Sequence, residues 1–167
     1  MGLNTAKLNL SFTGTIENTT NALAPISIPF SFSKSFTFAQ GTGANAADII
    51  YASRPSLSTG NLDLDLAGTL TDPAGNTVVF AEVCGIIVVN RSTTAAEIVT
   101  LGGATADFLT WLKATGDGVK IAANSMFCLC DPNADAYVVT ATTADILRLT
   151  SASGTPAVDL IIWGHSA

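Results

Sequence analysis

At 167 residues, with 14 glycines and 6 prolines scattered along it, the chain has the size of one domain, which excludes a multidomain machine. Lys and Arg number 7 against 13 Asp and Glu, a net charge of −6 with no basic cluster to neutralise phosphates, which excludes direct nucleic-acid binding. Apolar residues make up 48% and charged residues 12%, so a core can form while Thr, Ser, Asn and Ala must cover the outside, a composition suited to broad contact with other protein.

In chain order, the first signal is strict alternation. Leu8, Leu10 and Phe12 alternate with Asn9, Ser11 and Thr13, and Ile26, Ile28, Phe30, Phe32, Phe36 and Phe38 keep one parity across Ser33-Lys34-Ser35. Apolar residues at every second position put one side of a strand in a core, so the N-terminal part reads as long, half-buried antiparallel strands. Leu62, Leu64, Leu66 and Leu70 alternate next, ahead of Thr71-Asp72-Pro73-Ala74-Gly75-Asn76, which has Pro and Gly where a tight hairpin turn needs them. The return strand over 77–90 holds Val78-Val79-Phe80 and Ile86-Ile87-Val88-Val89, a near-continuous apolar run that predicts the sheet centre.

After Gly102-Gly103, the segment 104–113 carries Phe108, Leu109, Trp111 and Leu112 at three- and four-residue spacing, which predicts one short helix of about two or three turns. Short strands are expected at 119–121, 126–130, 137–142, 146–150 and 158–163, separated by Gly, Pro, Asn and Asp. The predicted fold is therefore all-β: an antiparallel β-sandwich, jelly-roll-like, in a single domain with one short helix. Residues 1–21 are expected to form an N-terminal strand or arm that a neighbour can exchange, because its alternation needs a partner edge, and 22–167 the β-sandwich domain. No stretch approaches the roughly 18 apolar residues of a membrane span, and no signal peptide is read.

The chemically capable residues are sparse. His165 is the only histidine and reads as a tail residue without chemistry, since a catalytic base must be held rigidly. Cys128-Leu129-Cys130 puts two sulfurs on one side of a strand, but with Cys84 the count of three supports neither a zinc site nor a disulfide framework, and buried small hydrophobes are expected. Asp131-Pro132-Asn133-Ala134-Asp135 opens like a calcium loop yet has Ala136 where Gly is needed and Thr142 where Glu is needed, so a side-chain-capped turn is expected. Asp63 and Asp65 read as the wet side of a strand, and Gly41-Thr42-Gly43-Ala44-Asn45-Ala46 as an inter-strand loop lacking a phosphate-binding Lys. Catalytic, cofactor and metal sites are not expected, and neither is enzymatic activity.

The ordered set Phe38-Ala39-Gln40-Gly41-Thr42-Gly43-Ala44-Asn45, Asp63-Leu64-Asp65-Leu66-Ala67-Gly68-Thr69-Leu70-Thr71-Asp72 with Gly75, Phe80-Ala81-Glu82-Val83, Leu101-Gly102-Gly103 to Trp111, and Asp159-Leu160-Ile161-Ile162-Trp163-Gly164 resembles small structural proteins of tailed bacteriophages. The resemblance spans nearly the whole chain; it departs where those proteins have a Pro-Gly-Gly turn and this chain has Ala122-Ala123-Asn124-Ser125. It implies a virion component made in the host bacterial cytoplasm: a head decoration or cement protein on the capsid exterior. Such a protein is a homotrimer partnered with the major capsid protein, and it braces the shell against internal DNA pressure. Leu8, Leu10 and Phe12 on the arm, together with Trp111, are the residues expected at contacts. The alternative is a tail or receptor-binding β-sandwich module that recognises host surface glycan, with Trp111, Trp163 and Tyr137 as its aromatic patch.

Overall fold

Alternating apolar and hydroxyl side chains favour pleated strands with one dry and one wet side, and strands dominate the chain. The computed structural model describes residues 3–18, 20, 23, 26–58, 60–68, 70–72, 74–108, 111, 112, 114 and 116–167. Among them thirteen strands form and no helix: β1 (Thr5–Asn18), β2 (Ile26–Ala39), β3 (Ile49–Ser53), β4 (Gly60–Asp65), β5 (Leu70–Thr71), β6 (Thr77–Val78), β7 (Phe80–Asn90), β8 (Val99–Gly102), β9 (Gly118–Ile121), β10 (Met126–Cys130), β11 (Tyr137–Val138), β12 (Ile146–Ser151) and β13 (Val158–Ser166).

All pairings between named strands are antiparallel. One sheet runs β10-β7-β13-β3 with β11 also on β7; a second runs β4-β12-β8-β9; β1-β2 and β5-β6 are two-stranded. The expected hairpin at 71–76 is the β5-β6 turn, where the Asp72 carboxylate accepts from the Ala74 and Asn76 amides at 2.9 and 2.8 Å. β7 lies inside the five-stranded sheet, between β10 and β13, as its apolar run predicts.

A central strand needs cover on both sides, and two separate apolar clusters supply it. Ile86, Val88, Leu160 and Ile162 point one way, into a core shared with Leu64, Val99, Leu101, Ile121, Leu147 and Leu149 of the four-stranded sheet. Their neighbours Ile87, Ile161 and Trp163 point the other way, into a second cluster with Phe38, Ala47 and Cys84. Gly85 is required there: a Cβ on it would sit 2.0 Å from the Trp163 ring, its cross-strand partner, so only glycine leaves room for the indole.

The short helix expected over 104–113 is absent. Its described residues form turns and a single bridge from Asp107 to Ile146, and Leu109, Thr110 and Lys113 lie outside the described set. The backbone bonds that a helix would need go elsewhere. The Phe108 amide donates to the Ile146 carbonyl at 2.9 Å, the Ile146 amide donates to Ala106 at 2.9 Å, and Asp107 takes the Gly103 amide at 2.6 Å. The three- and four-residue spacing is met by a loop docked beside β12, with Phe108 fully buried and Trp111 stacked near Phe127. At the departure from the resembling proteins, Asn124 adopts φ 56° and the Ser125 amide bonds to the Ala122 carbonyl, so asparagine supplies the left-handed turn residue.

Candidate interaction surface

β1 and β2 pair along all fourteen residues each, from Thr5 opposite Ala39 to Asn18 opposite Ile26, and pair with no other named strand. The edge that β1's alternation calls for is thus supplied by β2 of the same chain. Cross-strand partners share a side, so the register sorts the ribbon's side chains. Ala6, Leu8, Leu10, Phe12, Gly14 and Ile16 lie on one side with Phe38, Phe36, Lys34, Phe32, Phe30 and Ile28; Lys7, Asn9, Ser11, Thr13 and Thr15 lie on the other with Thr37, Ser35, Ser33, Ser31 and Pro29. One side is apolar but for Lys34, and the other is mostly hydroxyl. Gly14 is filled from across the ribbon, where the Phe30 ring would come within 2.7 Å of a Cβ on it.

Only the base of the apolar side is covered. Leu3, Ala6, Leu8, Phe36 and Phe38 pack on Ile50, Ile87, Ile161 and Trp163 of the five-stranded sheet, with Phe38 edge-on to Trp163 at 5.8 Å between centroids. Beyond Leu8 the same side is open: Phe12 is 64% exposed, Ile16 60% and Phe32 59%, and Leu10, Ile26, Ile28 and Phe30 are exposed too. Each of these seven is roughly half exposed, which leaves about 700 Å² of apolar surface in water on a scale of roughly 200 Å² per large side chain. Monomeric soluble proteins rarely show contiguous apolar patches of that size. A two-stranded ribbon is also marginal by itself in water. Lys34 interrupts the apolar side, and its Nζ reaches back to 5.3 Å from the Phe36 ring centre.

Where the ribbon meets the sheet, a notch of about 160 Å³ opens between Leu8 and Phe38 on one wall and Ile50, Ile87, Ile161 and Trp163 on the other. The sheet continues past it with Ala52, Val89 and Cys128, all half-buried, the exposed Met126, and, beside Val89, Asp159 paired with the exposed Arg54 and Arg91.

Of the residues singled out from the sequence, Leu8, Leu10 and Phe12 fall in one line on the arm. Trp111 does not join them. It packs half-buried against the main core, and its Nε1 donates to the Phe108 carbonyl at 2.9 Å. Asp63 pairs with Arg148 across β4 and β12, Nε to Oδ1 at 2.6 Å and Nη2 to Oδ2 at 2.7 Å, and the guanidinium holds the Asp63 carboxyl below its usual range. Asp131 accepts from the Asn133 amide at 3.0 Å, the capped turn expected there.

His165 is corrected by the structure: it is buried near the end of β13, not in a tail. It follows Ile161 and Trp163 at two-residue spacing onto the same side of β13, facing Cys84, the extra residue of β7 at the register shift between Trp163 and Gly164; Gly164 is tight against the Glu82 carbonyl, where a Cβ would come within 2.0 Å. Its Nε2 lies 3.4 Å from Cys84 Sγ and 3.1 Å from the Ala46 carbonyl, and its Nδ1 lies 3.4 Å from Glu82 Oε2. The order Cys, His, Glu is that of a nucleophile with its base, yet burial pushes the Cys84 thiol up to about 12, the reverse of what a thiolate nucleophile needs. The group ties the end of β13 to β7 and to the loop at Ala46. The alternation Ile161, Trp163, His165 along β13 carries it to that side and is the signal that could have found it; the register shift lies in β7, where Cys84 is the extra residue.

No family model, no curated protein and no solved structure matches the chain.

Proposed function

We propose that this chain is a bacteriophage virion structural protein, a capsid decoration or cement protein that binds the outer capsid surface as a trimer and stabilises the shell against internal DNA pressure. The observation that carries the reading is the arm. About 700 Å² of apolar side chain stands out from the body on a ribbon whose other side is wet, a form suited to building larger protein assemblies rather than to acting alone. The low charge and net charge of −6 support a place on the outside of a shell, away from DNA. The resemblance of the ordered segments to small structural proteins of tailed phages is what points to the capsid as the partner. The fold that goes with this reading is a two-sheet β-sandwich carrying the arm.

Several weak contacts held at fixed spacing bind far more tightly than one, so a trimer on a repeating lattice gains its hold from multiplicity. The glycan-binding alternative has less support, because Trp163 is 4% exposed and Trp111 and Tyr137 are half-buried, leaving little aromatic platform for a sugar.

The test is co-sedimentation of the purified chain with capsids stripped of their outer proteins, followed by heating. Saturable binding that raises the temperature of capsid rupture is the expected result. A chain that stays in the supernatant at every ratio refutes the proposal.

A further inference from the structure

The arm's base shows how this ribbon seats on the five-stranded sheet, with Leu8, Phe36 and Phe38 against Ile50, Ile87, Ile161 and Trp163. The rest of the ribbon carries the same chemistry but cannot reach that sheet in its own chain. The β1-β2 register runs unbroken from Thr5 to Asn18, so ten further residue pairs carry the apolar side about 30 Å beyond the contact. Two unfinished surfaces remain in one chain: an apolar ribbon exposed beyond Leu8 among the described residues, and a sheet with an open notch and the apolar residues Val89, Cys128 and Met126 beside it, bordered by Asp159 with Arg54 and Arg91.

Size matches them. The notch holds about 160 Å³ and is lined almost entirely by apolar side chains. A dry pocket of about 150 Å³ accepts a benzene ring. The most exposed rings on the arm are Phe12 and Phe32, cross-strand partners that project together. The arm's apolar area of about 700 Å² is close to the roughly 800 Å² per partner of a standard stable interface.

We propose that the arm of one copy docks head to tail on a second copy of this chain, with Phe12 or Phe32 seated in the partner's notch over Ile161 and Trp163. The contact repeats between chains the packing that the arm's base already makes within one. Knob and hole are different surfaces, so the interface is heterologous, and it closes into a ring where the rotation allows. Bundling of arms against one another would leave the notch and the sheet beside it bare; head-to-tail docking covers both. This goes beyond the capsid reading, which does not say which surfaces join the copies, and it is tested without a capsid.

Sedimentation velocity of the full chain under reductant, from 1 to 100 times a starting concentration near 1 µM, decides it. The expected result is concentration-dependent self-association, weakened at least about 100-fold by Phe12→Ser with Phe32→Ser, which removes two apolar anchors at roughly tenfold or more each. Ile161→Phe fills the notch and gives the same loss. Mixing the two variants restores a 1:1 dimer, because the arm of the second fits the notch of the first. A photo-crosslinker in place of Phe12 reads the same contact in an otherwise unaltered chain, and is expected to label notch peptides of another copy. A wild-type monomer throughout, a mixture that stays monomeric although both variants are folded by circular dichroism, or crosslinks confined to another arm each overturn the proposal. Self-association of this kind without capsid binding refutes the decoration reading and leaves this one standing.

Discussion

Phe38 joins the arm to the body, and its removal measures how firmly the arm is aimed. The ring is 1% exposed, at the centre of the second cluster, edge-on to Trp163 and against Ala47 and Cys84. Phe38→Ala deletes the ring and leaves a hole that β2 and β13 cannot close, since β2 is held in register by β1 and β13 by β7 and β3. Buried Phe→Ala changes cost about 3–5 kcal/mol, of which the aromatic pair contributes about 1. Against a total stability of about 5–15 kcal/mol the loss is a large fraction, and at about 2–4 °C per kcal/mol it lowers Tm by roughly 10 °C. Urea unfolding followed by tryptophan fluorescence measures it, best in the Phe12→Ser, Phe32→Ser background so that association does not contribute. Limited proteolysis is expected to cut within residues 26–39 first. A stability loss below about 1 kcal/mol, or unchanged cleavage of the arm, would refute the view that this packing anchors it.

Burial sets the thiol chemistry. Cys84 is pushed up to about 12 and Cys130 to about 11, and Cys128 is also raised. Against an ordinary thiol near ~8.5, Cys84 at pH 8 is alkylated by iodoacetamide roughly a thousandfold more slowly in the folded chain than in urea, read by mass spectrometry; equal rates would show the site open. The Asp63 carboxyl is held down first by its hydrogen bonds from Arg148. A depressed folded value contributes stability that is present above the unfolded value near ~4 and is lost as pH falls through the folded one. Asp63→Asn is therefore expected to lower the urea midpoint at pH 7 and to change it little at pH 2. The effect stays under about 1 kcal/mol because the side chain is 43% exposed. An equal effect at both pH values would place it in packing rather than charge.

Much of the framework could be read from local periodicity. The parity shared by Leu8 to Phe12 and Ile26 to Phe38 settles which side of each strand is apolar, the apolar run over 77–90 marks a strand covered on both sides, and Asp72 to Asn76 marks a turn. Each of these is decided within a few residues, by pleat geometry and by side-chain bonds to the nearby backbone. What each side meets was left to the tertiary structure. Nothing near Leu8 or Phe12 distinguishes them, yet one is covered by Ile87 and Ile161 and the other stands in water. Phe108 and Trp111 have helical spacing, but β12, some forty residues on, takes the hydrogen bonds that a helix would use. His165 shares the side of Ile161 and Trp163 by alternation, but it is buried because a bulge at Cys84 of β7 and the loop at Ala46 close over it, and the notch exists only where the ribbon crosses that sheet. Periodicity chooses the side of a strand, while pairing between residues distant in sequence chooses its neighbour, because backbone hydrogen bonds and apolar contacts form with whatever the fold brings close.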